Sequence, residues 1–159
     1  MRAEGNTTRR GALRWLAIGG AALALCTAAP SVDAQGAPAI SVTFAQIAGG
    51  PGTPSVPPQY PELATPPFNT YPNYTVVSTK TLTLPLTVTM TEKLLSGDTF
   101  EATLVAVPAG KVDIVVKDAK GAVLSKGRYT IPPKTAKPST IYPISVPYKV
   151  GNLVVAITR

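Results

Sequence analysis

TLTLPLTVTM, residues 81–90, is the stretch of the chain that most clearly sets its fold. Leucine, valine or methionine occupies every second position, and threonine or Pro85 fills the positions between. This period of two predicts an extended strand over Thr75–Thr91 with one face buried and the other in water. Pro85 has no N–H to donate to a neighbouring strand, so we expect an edge strand or a bulge here.

Short strand patterns separated by turns continue to the end of the chain. Alternating apolar residues predict strands over 99–107, 112–116, 122–125, 128–131, 141–148 and 153–158. Pro143 and Pro147 indicate a second edge strand. Asp118–Val123 is similar to the Asp-x-x-Gly hairpin of many bacterial immunoglobulin-like domains. Roughly seven strands with Gly and Pro turns predict an all-β fold, an immunoglobulin-like β-sandwich over residues 74–159.

Residues 1–34 have the pattern of a removable bacterial-type signal peptide. Four arginines before Trp15 form a positive region, and an uncharged run follows from Trp15 to Val32. This run is short and rich in Ala and Gly, so we do not expect it to span a membrane. Val32-Asp33-Ala34 predicts cleavage before Gln35, which places the protein in the periplasm or outside the cell.

The leader leaves two questions of processing open. Thr8–Arg14 resembles a twin-arginine export signal, although Ala12 stands where that pattern has Phe, and a generic basic region is the alternative. Leu23–Cys26 resembles a lipoprotein cleavage box, although Leu25 is larger than the residue that this pattern requires. A lipid anchor at Cys26 is therefore the alternative to cleavage before Gln35.

Between the leader and the sandwich lie a short strand and a segment rich in proline. Ala39–Ile47 alternates, which predicts a strand within the N-terminal segment 35–48. Eight prolines over residues 49–73 predict a linker, either a semi-rigid spacer or a loop that lies on the surface. Its aromatic residues either pin it to the domain or stack on a ligand. The strand either folds back onto its own sandwich or adds to a neighbour's open edge.

The charge of the chain favours anionic partners. Removing residues 1–34 leaves 11 of the 15 basic residues and six of the eight acidic residues, a net charge of +5. A positive surface attracts acidic polysaccharide or an acidic protein of the cell envelope. Basic and aromatic residues do not interleave as in RNA-binding sheets, so we expect no nucleic acid. The candidate binding residues are Tyr60, Phe68, Tyr71, Lys117, Lys120, Lys126 and Arg128.

Few catalytic arrangements can be built from this composition. The chain has no His and its one Cys is Cys26, so residues 35–159 offer neither imidazole nor thiol for a nucleophile or a metal. We therefore expect no enzyme and no cofactor. Asp98 and Glu101 are the carboxylate pair that an alternative enzymatic interpretation would use.

These patterns together predict a non-catalytic exported module that accompanies or binds an envelope component or a larger exported complex. The alternative is a structural subunit of a surface filament or matrix, assembled as a homo-oligomer by β-strand exchange.

Overall fold

Eight strands and one short helical turn make up the computed structural model, which describes residues 38–107 and 109–159. The strands are β1 (Ala39–Gly50), β2 (Asn73–Pro85), β3 (Thr89–Lys93), β4 (Thr99–Ala106), β5 (Lys111–Lys117), β6 (Val123–Thr130), β7 (Thr140–Tyr148) and β8 (Gly151–Thr158). A 3-10 turn covers Pro61–Ala64. The strands form two antiparallel four-stranded sheets, so the predicted all-β sandwich is confirmed.

The alternating stretch that predicts one strand over Thr75–Thr91 is split between the two sheets. β2 ends at Pro85 in the first sheet and β3 begins at Thr89 in the second. Between them Thr87 has a left-handed φ of 63°, and its N–H donates to the carbonyl of Leu104 at 2.8 Å. The prediction of one continuous strand was wrong, and Val88, expected inside, is half exposed.

The strand order follows the chain around the sandwich. Sheet A has the order β2-β1-β8-β7 and sheet B the order β3-β4-β5-β6, so β1 and β8 are the only hydrogen-bonded neighbours in these sheets that are not consecutive. Immunoglobulin domains instead use Greek-key connections that bring non-consecutive strands together. The predicted immunoglobulin-like type is not confirmed by this order.

Aliphatic and aromatic side chains from both sheets fill the space between them. They include Val42 and Phe44 on β1, Phe100 and Leu104 on β4, Val112, Ile114 and Val116 on β5, and Leu153, Val155 and Ile157 on β8. The rings of Phe44 and Phe100 meet across the two sheets with centroids 5.1 Å apart. Every second residue of each strand faces this core, which leaves the alternate residues for the outer faces.

One polar side chain in the interior, Gln46, joins the two sheets. It is 2% exposed, and its Oε1 accepts a hydrogen bond from the backbone N–H of Leu95 at 2.8 Å. Its Nε2 donates to the carbonyl of Lys93 at 3.4 Å. Because Lys93 is the last residue of β3 and Leu95 lies two residues beyond it, these bonds fix that end of sheet B over the second half of β1.

The N-terminal strand β1 lies inside its own sheet. It pairs with β2 from Ala39 to Gly50 and with β8 from Thr43 to Gly49. Donation of this strand to a neighbour would break both ladders. The prolines predicted edges elsewhere, and this is confirmed: β2 ends at Pro85, β7 contains Pro143 and Pro147, and both are the edge strands of sheet A.

Residues 51–72, here called the strap, lie on the outer face of sheet A. Tyr60 and Leu63 of the strap pack against Ala45 and Ile47 of β1 and against Val154 and Ala156 of β8. Of the predicted linker 49–73, residues 51–72 thus lie on the surface of sheet A, whereas Gly49, Gly50 and Asn73 belong to β1 and β2. Sheet A is buried on both faces over this region, which is why all five residues from Leu153 to Ile157 are buried.

The predicted signal peptide 1–34, its arginine pair and Cys26 lie outside the described residues. Within the described ranges no helix is long and apolar enough to cross a membrane.

Candidate binding surfaces

The outer face of sheet B carries most of the predicted basic binding residues. On β5 the inward set Val112, Ile114 and Val116 leaves the alternate residues, from Lys111 to Lys117, facing out. On β6 Lys126 lies opposite Val115 and Arg128 lies opposite Asp113, so both point to the same side. Antiparallel register thus places side chains from separate strands side by side.

This surface, here called the basic face, has a surplus of positive charge. Its charged members are Lys93, Lys111, Lys117, Lys126 and Arg128 with the carboxylates Glu101 and Asp113. Five cations against two carboxylates give a net charge of +3. Residues 38–159 carry a net charge of +5, so the outer face of sheet B holds more than half of the excess positive charge.

Both carboxylates of the basic face are held by ion pairs. The guanidinium of Arg128 donates two hydrogen bonds to Asp113, from Nε at 2.6 Å and from Nη2 at 2.7 Å. This bidentate bond lowers the pKa of Asp113 below its usual range and raises that of Arg128. Lys117 donates a single hydrogen bond to Oε1 of Glu101 at 2.7 Å, across β4 and β5.

Three cations of the basic face remain available for a partner. Lys93 donates to the hydroxyl of Thr99 at 2.7 Å, which occupies only one of its three N–H groups. For Lys111 and Lys126, no carboxylate lies within ion-pair distance among residues 38–107 and 109–159. All three are exposed, and Lys126 borders a shallow depression of about 470 Å³ that Val115 and Arg128 also line.

Lys120, the fourth predicted cation, lies at the tip of the β5–β6 hairpin and not on the basic face. Asp118 builds this turn: its Oδ1 accepts from the backbone N–H groups of Lys120 and Ala122, each at 2.8 Å. Gly121 has a φ of +88°, a conformation that glycine adopts without a steric penalty. The Asp118–Gly121 hairpin is thus present as predicted.

The predicted aromatic residues lie on the opposite side of the sandwich. Tyr60 is buried, and its ring meets that of Tyr142 edge-on at 6.4 Å. Phe68 packs on the same Tyr142 ring at 4.9 Å. Both therefore attach the strap to β7, and the pinning alternative describes their contacts. Tyr71 is only partly covered and lines a surface cleft of about 400 Å³ with Pro54 and Asn69.

Tyr142 also holds the strap by a polar bond. Its hydroxyl donates to Oε2 of Glu62 at 2.9 Å. Burial raises the pKa of Tyr142 well above its ordinary value, and the Glu62 carboxylate raises it further. Burial likewise raises the pKa of Tyr60 and of Tyr74. The hydroxyl of Tyr74 donates to the carbonyl of Phe68.

The carboxylates of the enzymatic alternative have structural partners. Oδ2 of Asp98 accepts a hydrogen bond from Ser96 at 2.7 Å within the β3–β4 turn, while Glu101 binds Lys117 on the basic face. Among the described residues no group of three or more His, Cys, Asp or Glu is placed to hold a metal ion.

Comparison with known proteins gives no relative for this chain: no protein-family model, no curated protein and no solved structure matches it.

Sequence reasoning missed two cations of the basic face, Lys93 and Lys111. They lie on β3 and β5, and only the register of the four strands brings them onto the same face as Lys126. The sequence did contain evidence for Lys111, because Lys111 and the predicted Lys117 fall on the same side of an alternating strand.

Proposed function

We propose that this protein is an exported, non-catalytic binding module and that its basic face holds an anionic polymer of the cell envelope. The predicted leader supplies export to the periplasm or the cell exterior. An acidic polysaccharide is the ligand class that fits a flat face of lysine and threonine side chains, since each lysine meets one carboxylate or phosphate of an extended chain.

The observation that carries the proposal is the net +3 on the outer face of sheet B. Charge was not expected to gather there, because the lysines are scattered along the sequence. Lys93, Lys111 and Lys126 come from three different strands and share one face only through the sheet register. Positive surfaces of this kind raise the local concentration of anions and speed association at low salt.

A binding role suits the carboxylates better than a catalytic one does. Glu101 and Asp113 each bind a cation, and Asp98 and Asp118 accept hydrogen bonds within their own turns. Carboxylates with such partners stabilise turns and the pairing of strands. A catalytic acid and base would instead need to face a substrate with suitably placed protons.

The test is retention on beads that carry an acidic polysaccharide, compared with beads of neutral dextran. We expect the protein to bind only the acidic beads and to elute as salt rises. Replacing Lys111→Glu and Lys126→Glu together changes the basic face from +3 to −1 and should abolish retention.

The matched control makes the same change of charge elsewhere. Lys134→Glu with Lys137→Glu alters two exposed lysines in the loop between β6 and β7. This control should keep most of the retention. Equal loss in both double variants would mean that total charge, and not the basic face, determines binding.

A further inference from the structure

Six large aliphatic side chains are exposed among the described residues, and five of them lie at one end of the sandwich. They are Val77 (42% exposed), Leu95 (48%), Val123 (55%), Leu124 (51%) and Val150 (79%). The sixth, Val88, lies at the other end, in the corner between β2 and β3. We call the end with the five residues the turn end.

The strand register places these residues together. Leu95 is in the β3–β4 turn, and Val123 and Leu124 begin β6 directly after the β5–β6 hairpin. Thr99, the first residue of β4, pairs with both Lys93 and Lys117, so these two turns lie at the same end of sheet B. The bonds from Gln46 to Lys93 and Leu95 place this end of sheet B over the second half of β1, four residues before β1 ends at Gly50.

Val150 is the most exposed of the five and projects from the β7–β8 hairpin. The turn is tight, since Lys149 has a left-handed φ of 52° and Gly151 packs against the backbone of Gly49. Val77 and Val150 line one cleft of about 190 Å³ together with Tyr148. An aliphatic side chain 79% exposed at a hairpin tip contributes little to the stability of its own fold.

Lysines flank the aliphatic tips. Lys149 precedes Val150, with its Nζ 5.1 Å from the centre of the Tyr148 ring, and Lys120 is exposed at the neighbouring hairpin tip. The carboxylates at this end, Asp98 and Asp118, accept hydrogen bonds within their own turns. Long lysine side chains beside apolar tips reach outward to anionic headgroups while the tips enter the acyl boundary.

We propose that the turn end docks on an anionic lipid surface, with Val150 and Leu95 entering the headgroup layer. Leu95 and Val150 stand on turns of different sheets, and each turn also carries charged residues, Asp98 on the first and Lys149 on the second. This arrangement differs from the continuous apolar patch that a protein partner covers. A fluid bilayer accepts separate tips individually, and its negative charge complements Lys120 and Lys149. This proposal uses no residue of the basic face.

The test is co-sedimentation of residues 35–159 with vesicles. The vesicles contain phosphatidylcholine alone or with about 30% phosphatidylglycerol, which supplies the negative surface. We expect binding to the mixed vesicles, with a part that persists in about 0.5 M salt because apolar insertion is not screened. Val150→Asp should weaken partition roughly tenfold, and adding Leu95→Asp should weaken it further.

Val88→Asp is the matched control, because it places the same charge on a half-exposed valine at the opposite end. It should bind like the wild type. Equal weakening by Val88→Asp and Val150→Asp, or no binding to mixed vesicles, would overturn the proposal. So would a dimer in sedimentation velocity that Val150→Asp dissociates, since a second copy would then be the occupant.

The two proposals can fail separately. The Lys111→Glu, Lys126→Glu variant should lose retention on acidic polysaccharide yet keep the salt-resistant part of vesicle binding. Loss of that part in this variant would mean that the basic face, and not the turn end, contacts lipid.

Discussion

Truncation of Leu63 to alanine removes the side chain that the strap buries most deeply against sheet A. Leu63 is 0% exposed and lies in the apolar layer that Ile47 and Val154 form on that face. If the strap is part of the folded domain, the truncation leaves a cavity between the strap and the sheet. If residues 49–73 act as a loose spacer, the change has little to disturb.

The size of the effect follows from the burial. Leu→Ala at fully buried sites lowers the free energy of unfolding by about 2–5 kcal/mol, and a single strap segment over the sheet can partly collapse onto the cavity, which favours a value of about 3 kcal/mol. For a domain of this length the entropy of unfolding near Tm is about 0.25 kcal/mol/K, so Tm should fall by about 12 °C.

The assay is urea unfolding of residues 35–159, followed by circular dichroism and by tyrosine fluorescence. Leu124→Ala is the control, because it makes the same chemical change at a side chain that is 51% exposed. The control should change the free energy of unfolding by less than about 0.5 kcal/mol. A Leu63→Ala variant as stable as this control would refute the packed strap.

Three further predictions test other parts of the structure. Gln46→Leu leaves the backbone N–H of Leu95 without its partner and should cost about 1–3 kcal/mol in urea unfolding, with faster hydrogen exchange in the β3–β4 turn; normal exchange there would contradict the role of Gln46. Asp113→Asn frees Arg128 and raises the basic face from +3 to +4, so it should bind acidic polysaccharide more tightly at low salt; unchanged affinity in a bead titration would count against this face. Tyr142 has a raised pKa, so its neutral phenol stabilises the fold fully below about pH 10 and this stability is lost as pH rises further. Tyr142→Phe should lower the free energy of unfolding by about 1 kcal/mol at pH 7 and should reduce the loss of stability above pH 10. Urea unfolding at pH 7 and at alkaline pH measures both effects; an undiminished alkaline loss would show that other groups cause it.

Strands with regular alternation were predictable from the sequence, and the break at Pro85 was not. β4, β5, β7 and β8 lie within a residue or two of their predicted bounds, because one apolar face per strand determines both extent and orientation. At Pro85 the alternation of leucine and threonine continues through Leu86 and Val88 although the backbone turns at Thr87. Alternation of apolar and polar residues does not reveal a turn when the alternation continues unchanged on both sides of it.

The sequence indicates that the outer face of sheet A is covered, although the alternating pattern of single strands does not show it. Leu153–Ile157 is an unbroken apolar run, and such runs are typical of strands buried on both faces. Ala45 and Ile47 give the same signal on the outer side of β1. The partner of that outer face could not be derived from the sequence, since the contacts of Tyr60 and Phe68 with Tyr142 span about 80 residues of chain.

The basic face was predictable in part for a similar reason. Lys126 and Arg128 were both named as candidate cations, but the predicted strands 122–125 and 128–131 left Lys126 between them. The structure has one strand, β6, over Val123–Thr130, and this places both side chains on one side. The ion pair of Arg128 with Asp113, which removes one cation from the available set, depends on the register between β5 and β6.

The central claim, that the basic face binds an anionic polymer, is tested most directly by mapping amide chemical shifts during titration with an acidic oligosaccharide. We expect shifts confined to the outward-facing residues of β3–β6 around Lys111 and Lys126, with no change in the strap or in β1. Shifts centred on the strap around Tyr71, or none at saturating ligand, would contradict the claim.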